Sequence, residues 1–251
     1  MSDFPEGFAD LEALEEALSR PSAALCDALS ALDGDITFLG VGGKIGPTLA
    51  RMAKRAAPDK RIIGVARFSE SGLRERLDSW GVETVACDLM DREAVNGLEK
   101  TANAVFLAGR KFGSEGNMAL TWAMNVICPS IVAEVFRGSR FLVYSTACVY
   151  PFVGVTSGGA PESLRVDPPG EYANSCVGRE RVFEHRAQLD GTRSVILRLS
   201  YALDMRYGVL HDIAQAARQI LDRALLRHGI ARLPMRDDDR SRLRHWRKCR
   251  A

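Results

Sequence analysis

The stretch DITFLGVGGKIGP, residues 35–47, joins a short apolar run to a glycine-rich turn and a proline. Its glycines stand at positions 1, 4 and 7 of the turn, and Pro47 occupies the first helical turn, where its missing N–H costs little. In a strand–turn–helix unit, one glycine permits the tight turn, one lets the backbone approach a pyrophosphate, and the last lets helix and strand pack closely. The alternative is a glycine-rich turn without a ligand. We predict cofactor binding here by Gly40, Gly43, Lys44, Ile45 and Gly46.

Around this turn, short apolar runs alternate with amphipathic segments of helical period. The first strand is predicted at 35–40, and the others at 61–67, 82–88, 103–109, 140–146 and 194–200. Such alternation is typical of a parallel sheet covered by helices on both faces. The sequence therefore predicts an α/β, Rossmann-type, doubly wound, mainly parallel sheet. A Gly- and Pro-rich segment, 151–170, predicts a long loop.

The flanking segments differ from this central region. Two short helices separated by Pro21 are predicted in an N-terminal leader, residues 1–34. The Rossmann domain is predicted over 35–207, and residues 208–251 would form one more helix and a basic, disordered tail within an incomplete substrate lobe. Because that tail has few apolar residues and no period, we interpret it as a truncated or out-of-frame end, with a basic arm for nucleic acid or an acidic partner as the alternative.

Composition sets limits on the class of protein. The 251 residues are 46% hydrophobic and 26% charged, as in an ordinary globular protein. Ten Arg and one Lys against four Asp give residues 218–251 a charge of +7, which leaves −5 for the rest because the net charge is +2. The acidic N-terminus is unlike a signal peptide, and no apolar run approaches the ~20 residues needed to span a bilayer. Six scattered cysteines favour a reducing cytoplasm, with no disulfide framework and no zinc site.

Further motifs follow the glycine turn in a fixed order. They are Asp88-Leu89, Ala108-Gly109, Asn125, the run from Ser145 to Tyr150, Tyr172, and Arg198-Leu199-Ser200. With that turn, residues 35–207 resemble the extended short-chain dehydrogenase/reductases, the NAD-dependent epimerase/dehydratase family. The resemblance implies cofactor contacts at Asp88, Leu89, Ala108, Gly109, Asn125 and Ser145.

The end of the second strand bears on the choice of cofactor. NAD-preferring members of the family carry an Asp where this chain has Ala66, and Arg67 follows. An acidic side chain would bind a ribose 2′-hydroxyl and repel a 2′-phosphate, whereas an arginine does the reverse. We therefore expect NADP as the preferred cofactor, with NAD as the alternative. The alternative interpretation of Arg67 is that it is a solvated loop residue.

The resemblance also implies a catalytic set with one departure. It makes Tyr172 the proton-transfer group and Thr146 the hydroxyl that holds the substrate oxygen, but the lysine expected four residues after the tyrosine is Cys176. A thiol cannot supply the positive charge, so the phenol is expected to keep a pKa near ~10. Arg179 lies on roughly the same helix face and is an alternative source of charge. Cys176 is either a reactive thiol or a buried helical cysteine, and Tyr150 either a substrate contact or part of the core.

These observations lead to two functional hypotheses. The first is an NAD(P)-dependent epimerase/dehydratase-type oxidoreductase that acts by hydride transfer on a sugar-like, small-molecule substrate. The second is a catalytically weak dinucleotide-binding module, a cofactor sensor or scaffold. Neither involves a membrane, nucleic acid is a weak third option, and a homodimer is compatible with both.

Overall fold

A single six-stranded sheet, all parallel, organises the chain. The computed structural model describes residues 7–111, 116–203 and 206–227, and for residues 221–227 it describes the backbone alone. The strands are β1 Ile36–Leu39, β2 Ile62–Ala66, β3 Glu83–Ala86, β4 Asn103–Phe106, β5 Arg140–Thr146 and β6 Ser194–Leu199. Their order is β3-β2-β1-β4-β5-β6, with β1 paired to both β2 and β4. The Rossmann-type, doubly wound prediction is confirmed, and each predicted strand is present within a few residues.

Helices connect the strands and cover the sheet. They are α1 Leu11–Leu18, α2 Ala23–Ala31, α3 Gly46–Ala56, α4 Leu73–Ser79, α5 Arg92–Asn96, α6 Met118–Trp122, α7 Cys128–Val135, α8 Gly170–Asp190 and α9 Val209–Arg227. A wider π-helical turn, Ala123–Ile127, joins α6 to α7. A short 3₁₀ turn, Ala147–Val149, follows β5. The long loop predicted before α8 is present, since residues 151–169 form neither helix nor strand.

The core lies on both faces of the sheet. On one face α5, α7 and α8 contribute to a cluster that includes Phe106, Phe136 and Phe183, all fully buried. On the other face α3 and α4 pack on β1 and β2 through residues such as Ala50 and Leu77. β1 is buried at all four positions and lies inside the sheet, between β2 and β4. The turn that follows β1 therefore begins at the end of a fully buried strand.

Polar contacts join the N-terminal helices to the domain. Asp10 and Ser22 cap α1 and α2. Glu16 of α1 accepts hydrogen bonds from Arg55 of α3 at 2.7 and 3.0 Å. Thr48 of α3 donates to Glu15 of α1 at 2.6 Å. The two leader helices predicted from the sequence are therefore confirmed.

One helical segment corrects an expectation from the sequence. Residues Met118–Val135 have a mean hydropathy of 1.5 over 18 residues, which by length and composition is enough to cross a membrane. Ile131, Val132 and Ala133 of this segment belong to the core cluster over the sheet. Packing within the domain therefore accounts for the apolar character that the sequence reading underestimated.

The chain divides into two compact units, 1–202 and from Leu203 onward. In the second unit α9 confirms the helix predicted after the sixth strand. The predicted basic tail lies in residues 228–251, outside the described residues. The domain boundaries drawn from the sequence remain predictions.

Candidate active site

The glycines of the turn after β1 have distinct geometric roles. Gly40 has φ +90°, and a Cβ there would lie 2.7 Å from the Ala108 backbone nitrogen. A Cβ at Gly46 would lie 2.1 Å from the Val41 carbonyl oxygen, so this glycine allows α3 to start against the strand. At Gly43 the nearest atom to such a Cβ is 3.8 Å away. The turn is thus closed at its two ends and open at its middle glycine.

A cleft of about 230 Å³, partly open to solvent, lies above this turn at the carboxyl edge of the sheet. Seven of the predicted cofactor residues line it: Gly40, Gly43, Arg67, Asp88, Leu89, Ala108 and Gly109. Five others do not: Lys44, Ile45, Gly46, Asn125 and Ser145. The sequence reading missed further lining residues, namely Gly42, Ala66, Phe68, Ser69, Glu70, Leu73, Cys87, Leu107 and Met124. Six of these lie within four residues after a strand end, and that position is the signal by which they could have been found: Gly42, Phe68, Ser69, Glu70, Cys87 and Leu107.

The β2 end of the cleft carries charges of both signs. The Arg67 guanidinium is exposed and lies 4.0 Å from the Asp88 carboxylate. Glu70 also lines this end. Between them Phe68 has φ +50°, which a bulky side chain seldom adopts and which tends to occur at functional sites. Arg67 is therefore available to an anion, but two carboxylates share its surroundings.

Asn125 does not line the cleft but holds the segment that forms one of its walls. It is fully buried in the π-helical turn. Its side-chain oxygen accepts from the Arg110 backbone N–H at 2.8 Å, and its amide donates to the Arg110 carbonyl at 3.0 Å and to Ser175 at 2.9 Å. The segment that follows Gly109 is thereby fixed to α8. Asn125 fits a role in shaping the cleft, whereas the sequence predicted direct cofactor contact.

Ser145 belongs to a buried polar cluster beneath the site. Its hydroxyl donates to Glu180 of α8 at 2.5 Å. Glu180 is fully buried and pairs with Arg198 of β6 at 2.8 Å. Arg198 also donates to the Tyr150 hydroxyl at 2.8 Å and stacks over its ring. The sequence reading missed Glu180, whose partners are far away along the chain, and Tyr150 is held by protein groups.

The predicted catalytic residues come together at the end of β5 and the start of α8. Tyr172 lies close enough to Thr146 and Cys176 for their side chains to influence its phenol. Burial raises the pKa of the Tyr172 phenol well above its ordinary value, and its contact with Cys176 adds to the rise, although Thr146 and Arg179 act in the opposite direction. The expected pKa near ~10 is therefore wrong, because the burial of a side chain depends on the folded chain and does not follow from local sequence. The Cys176 thiol is 1% exposed, and burial raises its pKa too, so it fits a buried helical cysteine better than a reactive thiolate.

Two cations lie near this group. Arg179, one turn along α8, donates to the Tyr144 carbonyl at 2.9 Å and to the Asn125 side chain at 2.7 Å. Lys111, after β4, lies 5.8 Å from the centre of the Tyr172 ring. Sequence spacing pointed to Arg179, but nothing local indicated that Lys111 would approach the tyrosine.

The residues present fit a dinucleotide. Gly43 leaves its space open in front of α3, an 11-residue helix whose N-terminus has no side-chain cap hydrogen bond. The unpaired N–H groups and the helix dipole at such a terminus attract phosphate. Among the described residues, no group of three or more His, Cys, Asp or Glu side chains is placed to hold a metal ion.

Comparison with known proteins agrees with this geometry. The model of the NAD dependent epimerase/dehydratase family matches residues 36–238. The chain belongs to this family. A search of curated proteins finds no significant match.

Solved structures of similar fold include several epimerases and dehydratases. A UDP-Glc/GlcNAc 4-epimerase from Campylobacter jejuni aligns with TM-score 0.57 and 20% identity over 65% of this chain and 52% of its own. A dTDP-glucose 4,6-dehydratase from Streptomyces venezuelae, solved with NAD, aligns with TM-score 0.59 and 22% identity over 65% and 55%. A UDP-glucuronic acid 4-epimerase from Bacillus cereus, also with NAD, gives 0.54 and 18% over 65% and 56%. The chain spans only about half the length of these proteins, and the likeness shows the fold.

Proposed function

We propose that the chain binds a nicotinamide dinucleotide in the cleft and that the protein is an NAD(P)-dependent oxidoreductase of the epimerase/dehydratase type. The observation that carries this proposal is the turn after β1, where Gly43 leaves open space before the start of α3. A side chain at that position would occupy the volume that a pyrophosphate needs. Membership of the family supports the same function.

In this proposal the protein's own groups hold and move a proton. A bound nicotinamide would accept and return a hydride. Thr146 would hold the substrate hydroxyl, and Tyr172 would donate or accept its proton. Since burial keeps the phenol protonated, Tyr172 is better suited to donate a proton than to accept one.

The substrate class comes from the family and its structural relatives. The similar structures are enzymes named for UDP- and dTDP-sugars. We therefore propose a nucleotide sugar, or a similar small hydroxyl or carbonyl compound, as the substrate.

Fluorescence titration with NADH and NADPH tests cofactor binding. We expect saturable binding of at least one of them, with enhanced or shifted nicotinamide emission. Absence of binding for both, in a folded protein, would overturn the proposal.

The preference between the two cofactors is a separate question. Arg67 at the β2 end favours a 2′-phosphate, whereas Glu70 and Asp88, which line the same end, oppose one. The family's name and the NAD-bound relatives do not support a preference for NADP, so that preference rests on Arg67. The ratio of the two dissociation constants from the titration decides it.

A second candidate function is a dinucleotide-binding module with weak or no turnover. The combination of Cys176 with a protonated, half-buried Tyr172 favours it, because general acid–base catalysis contributes roughly 10²–10⁴-fold and requires the correct protonation state. The test follows the near-ultraviolet absorbance of the reduced nicotinamide with a panel of nucleotide sugars, as a function of pH. Brisk turnover at neutral pH would exclude the module.

A further inference from the structure

Arg179 is a buried cation without a carboxylate partner. Its exposed fraction is 7%, and no carboxylate of the described part of the chain lies within 4.0 Å of it. Its neighbours are neutral: the Asn125 amide oxygen, the Tyr144 carbonyl and the Phe106 ring, whose centre is 5.8 Å away. Its Nε is buried with no hydrogen-bond partner. By contrast, the next residue, Glu180, is paired with Arg198.

A buried charge without a carboxylate partner carries a large free-energy cost. Removal from water costs several kcal/mol per ion in real proteins, and neutral dipoles offset only part of it. A group that develops negative charge nearby would therefore gain strongly from the arginine, because the attraction acts through a low dielectric. On the part of α8 that precedes Arg179, the ionisable groups on its face of the helix are Cys176 and Tyr172.

Helix geometry brings these three residues together. Positions three, four and seven apart share one face of an α-helix, so Arg179 lies on the same stripe of α8 as Cys176 and Tyr172. The half-buried phenol of Tyr172 lies close enough to Cys176 for the thiol to influence it. Arg179 also lies against the wall of the cleft, since a Cβ at Gly109 would be 2.4 Å from its terminal nitrogen.

We propose that Arg179 is the positioning cation of this site: it favours the ionised form of the Tyr172 phenol from two helical turns away, and the buried pocket along this face of α8 accommodates one cation, at position 179 or at position 176. This inference rests on the proposed function for its role in catalysis. The direction of Arg179's effect on the pKa of both Tyr172 and Cys176, downward in each case, agrees with the geometry.

Other groups also face Tyr172, and their effects on its ionisation must be distinguished from the effect of Arg179. Cys176 of α8 and Thr146 at the end of β5 both lie close enough to influence the phenol. The Lys111 ammonium approaches the ring from the segment after β4, and the exposed Cys148 is close enough to influence Cys176. Lys111 is the competing source of positive charge, so the experiment includes it.

The first test measures the ionisation of residue 172 in the full chain without cofactor. A difluorotyrosine placed there ionises closer to neutral pH than tyrosine and is read by fluorine NMR without interference from other tyrosines. Arg179→Gln is expected to reduce its ionisation constant on the order of tenfold. Arg179→Lys should retain most of the effect, and Arg181→Gln, an exposed arginine on the same helix, should change nothing. An unchanged constant in Arg179→Gln, or an equal shift in Lys111→Gln, would overturn the proposal.

The second test asks whether the pocket accommodates one cation, by a double-mutant cycle in thermal stability. Cys176→Lys alone should lower the midpoint because two cations are then buried together. Cys176→Lys combined with Arg179→Leu should recover stability relative to the sum of the two single changes. Strictly additive effects would contradict the proposal, and the cycle serves even if Arg179→Gln fails to fold. Because neither test uses cofactor, failure of dinucleotide binding would overturn the proposed function and leave this inference standing.

Discussion

At the scale of single residues, the turn after β1 separates two kinds of glycine. Gly43→Val is expected to abolish dinucleotide binding while changing stability by less than ~1 kcal/mol, since its side chain would enter open space rather than the protein. Fluorescence titration and urea unfolding measure the two effects. Unchanged cofactor affinity in the folded variant would show that the cleft binds something else.

Gly46→Ala is the matched change at the other end of the turn. Its Cβ would meet the Val41 carbonyl oxygen at 2.1 Å, and neither backbone can move without displacing β1 or α3. We expect a loss of about 3 kcal/mol in the free energy of unfolding, at the upper end of overpacking costs. A stable Gly46→Ala protein would mean that the helix start has room to shift.

Arg67 offers a second test at residue scale. If it pairs with a 2′-phosphate, Arg67→Ala should weaken NADP binding by ~1.5–3 kcal/mol and leave NAD binding nearly unchanged. Arg76→Ala, at an α4 arginine outside the cleft lining, is the control. Equal losses for NAD and NADP would show that Arg67 does not distinguish them.

Some residues of the site could be predicted from sequence and others could not. Gly40, Gly43 and Ala108 stand in local motifs whose geometry follows from the strand–turn–helix pattern. Glu180 could not be connected to Ser145, because a contact across 35 residues depends on how α8 packs under β5. The pKa of Tyr172 was misjudged for the same reason, since burial is a property of the folded chain.

At the scale of secondary-structure elements, the strands were the most predictable part. Short apolar runs such as 61–67 have one stable solution, a buried parallel strand, and β2 is found there. The β4 prediction extended to residue 109, but pairing ends at Phe106, because the chain then leaves the sheet to form the wall of the cleft. The π-helical turn could not be predicted, since its local backbone preference is that of any helix.

The contact of α8 with β6 depends on one buried ion pair. Glu180→Gln leaves Arg198 without its charge partner and weakens the bond from Ser145. We expect a loss of about 3 kcal/mol in the free energy of unfolding, measured by urea denaturation. Glu184→Gln, which breaks an exposed pair with Arg181 on the same helix, should cost less than ~1 kcal/mol. Equal losses in the free energy of unfolding for the two variants would show that burial does not increase the contribution of the Glu180–Arg198 pair.

At the scale of the whole molecule, the cofactor should stabilise the folded chain. A ligand that binds only the native state at 100 times its dissociation constant adds about 2.7 kcal/mol. For a chain of this size that corresponds to a rise of roughly 5–10 °C in the thermal midpoint. Differential scanning fluorimetry with and without NAD or NADP measures it. Gly43→Val should show no rise, and a rise of the same size in that variant would place the ligand elsewhere.

The π-helical turn at Ala123–Ile127 has a consequence for chain length. An α-helix advances about 100° per residue, so one extra residue in the turn rotates α6 by roughly that angle relative to α7. Thr121 of α6 and Ile131 of α7 are both buried with this rotation in place. Deleting one residue within the turn would restore a uniform helix and carry Thr121 out of its buried position. In this helical segment, the number of residues is therefore as strict a requirement as their identity. An insertion or deletion here would change which face of α6 is buried.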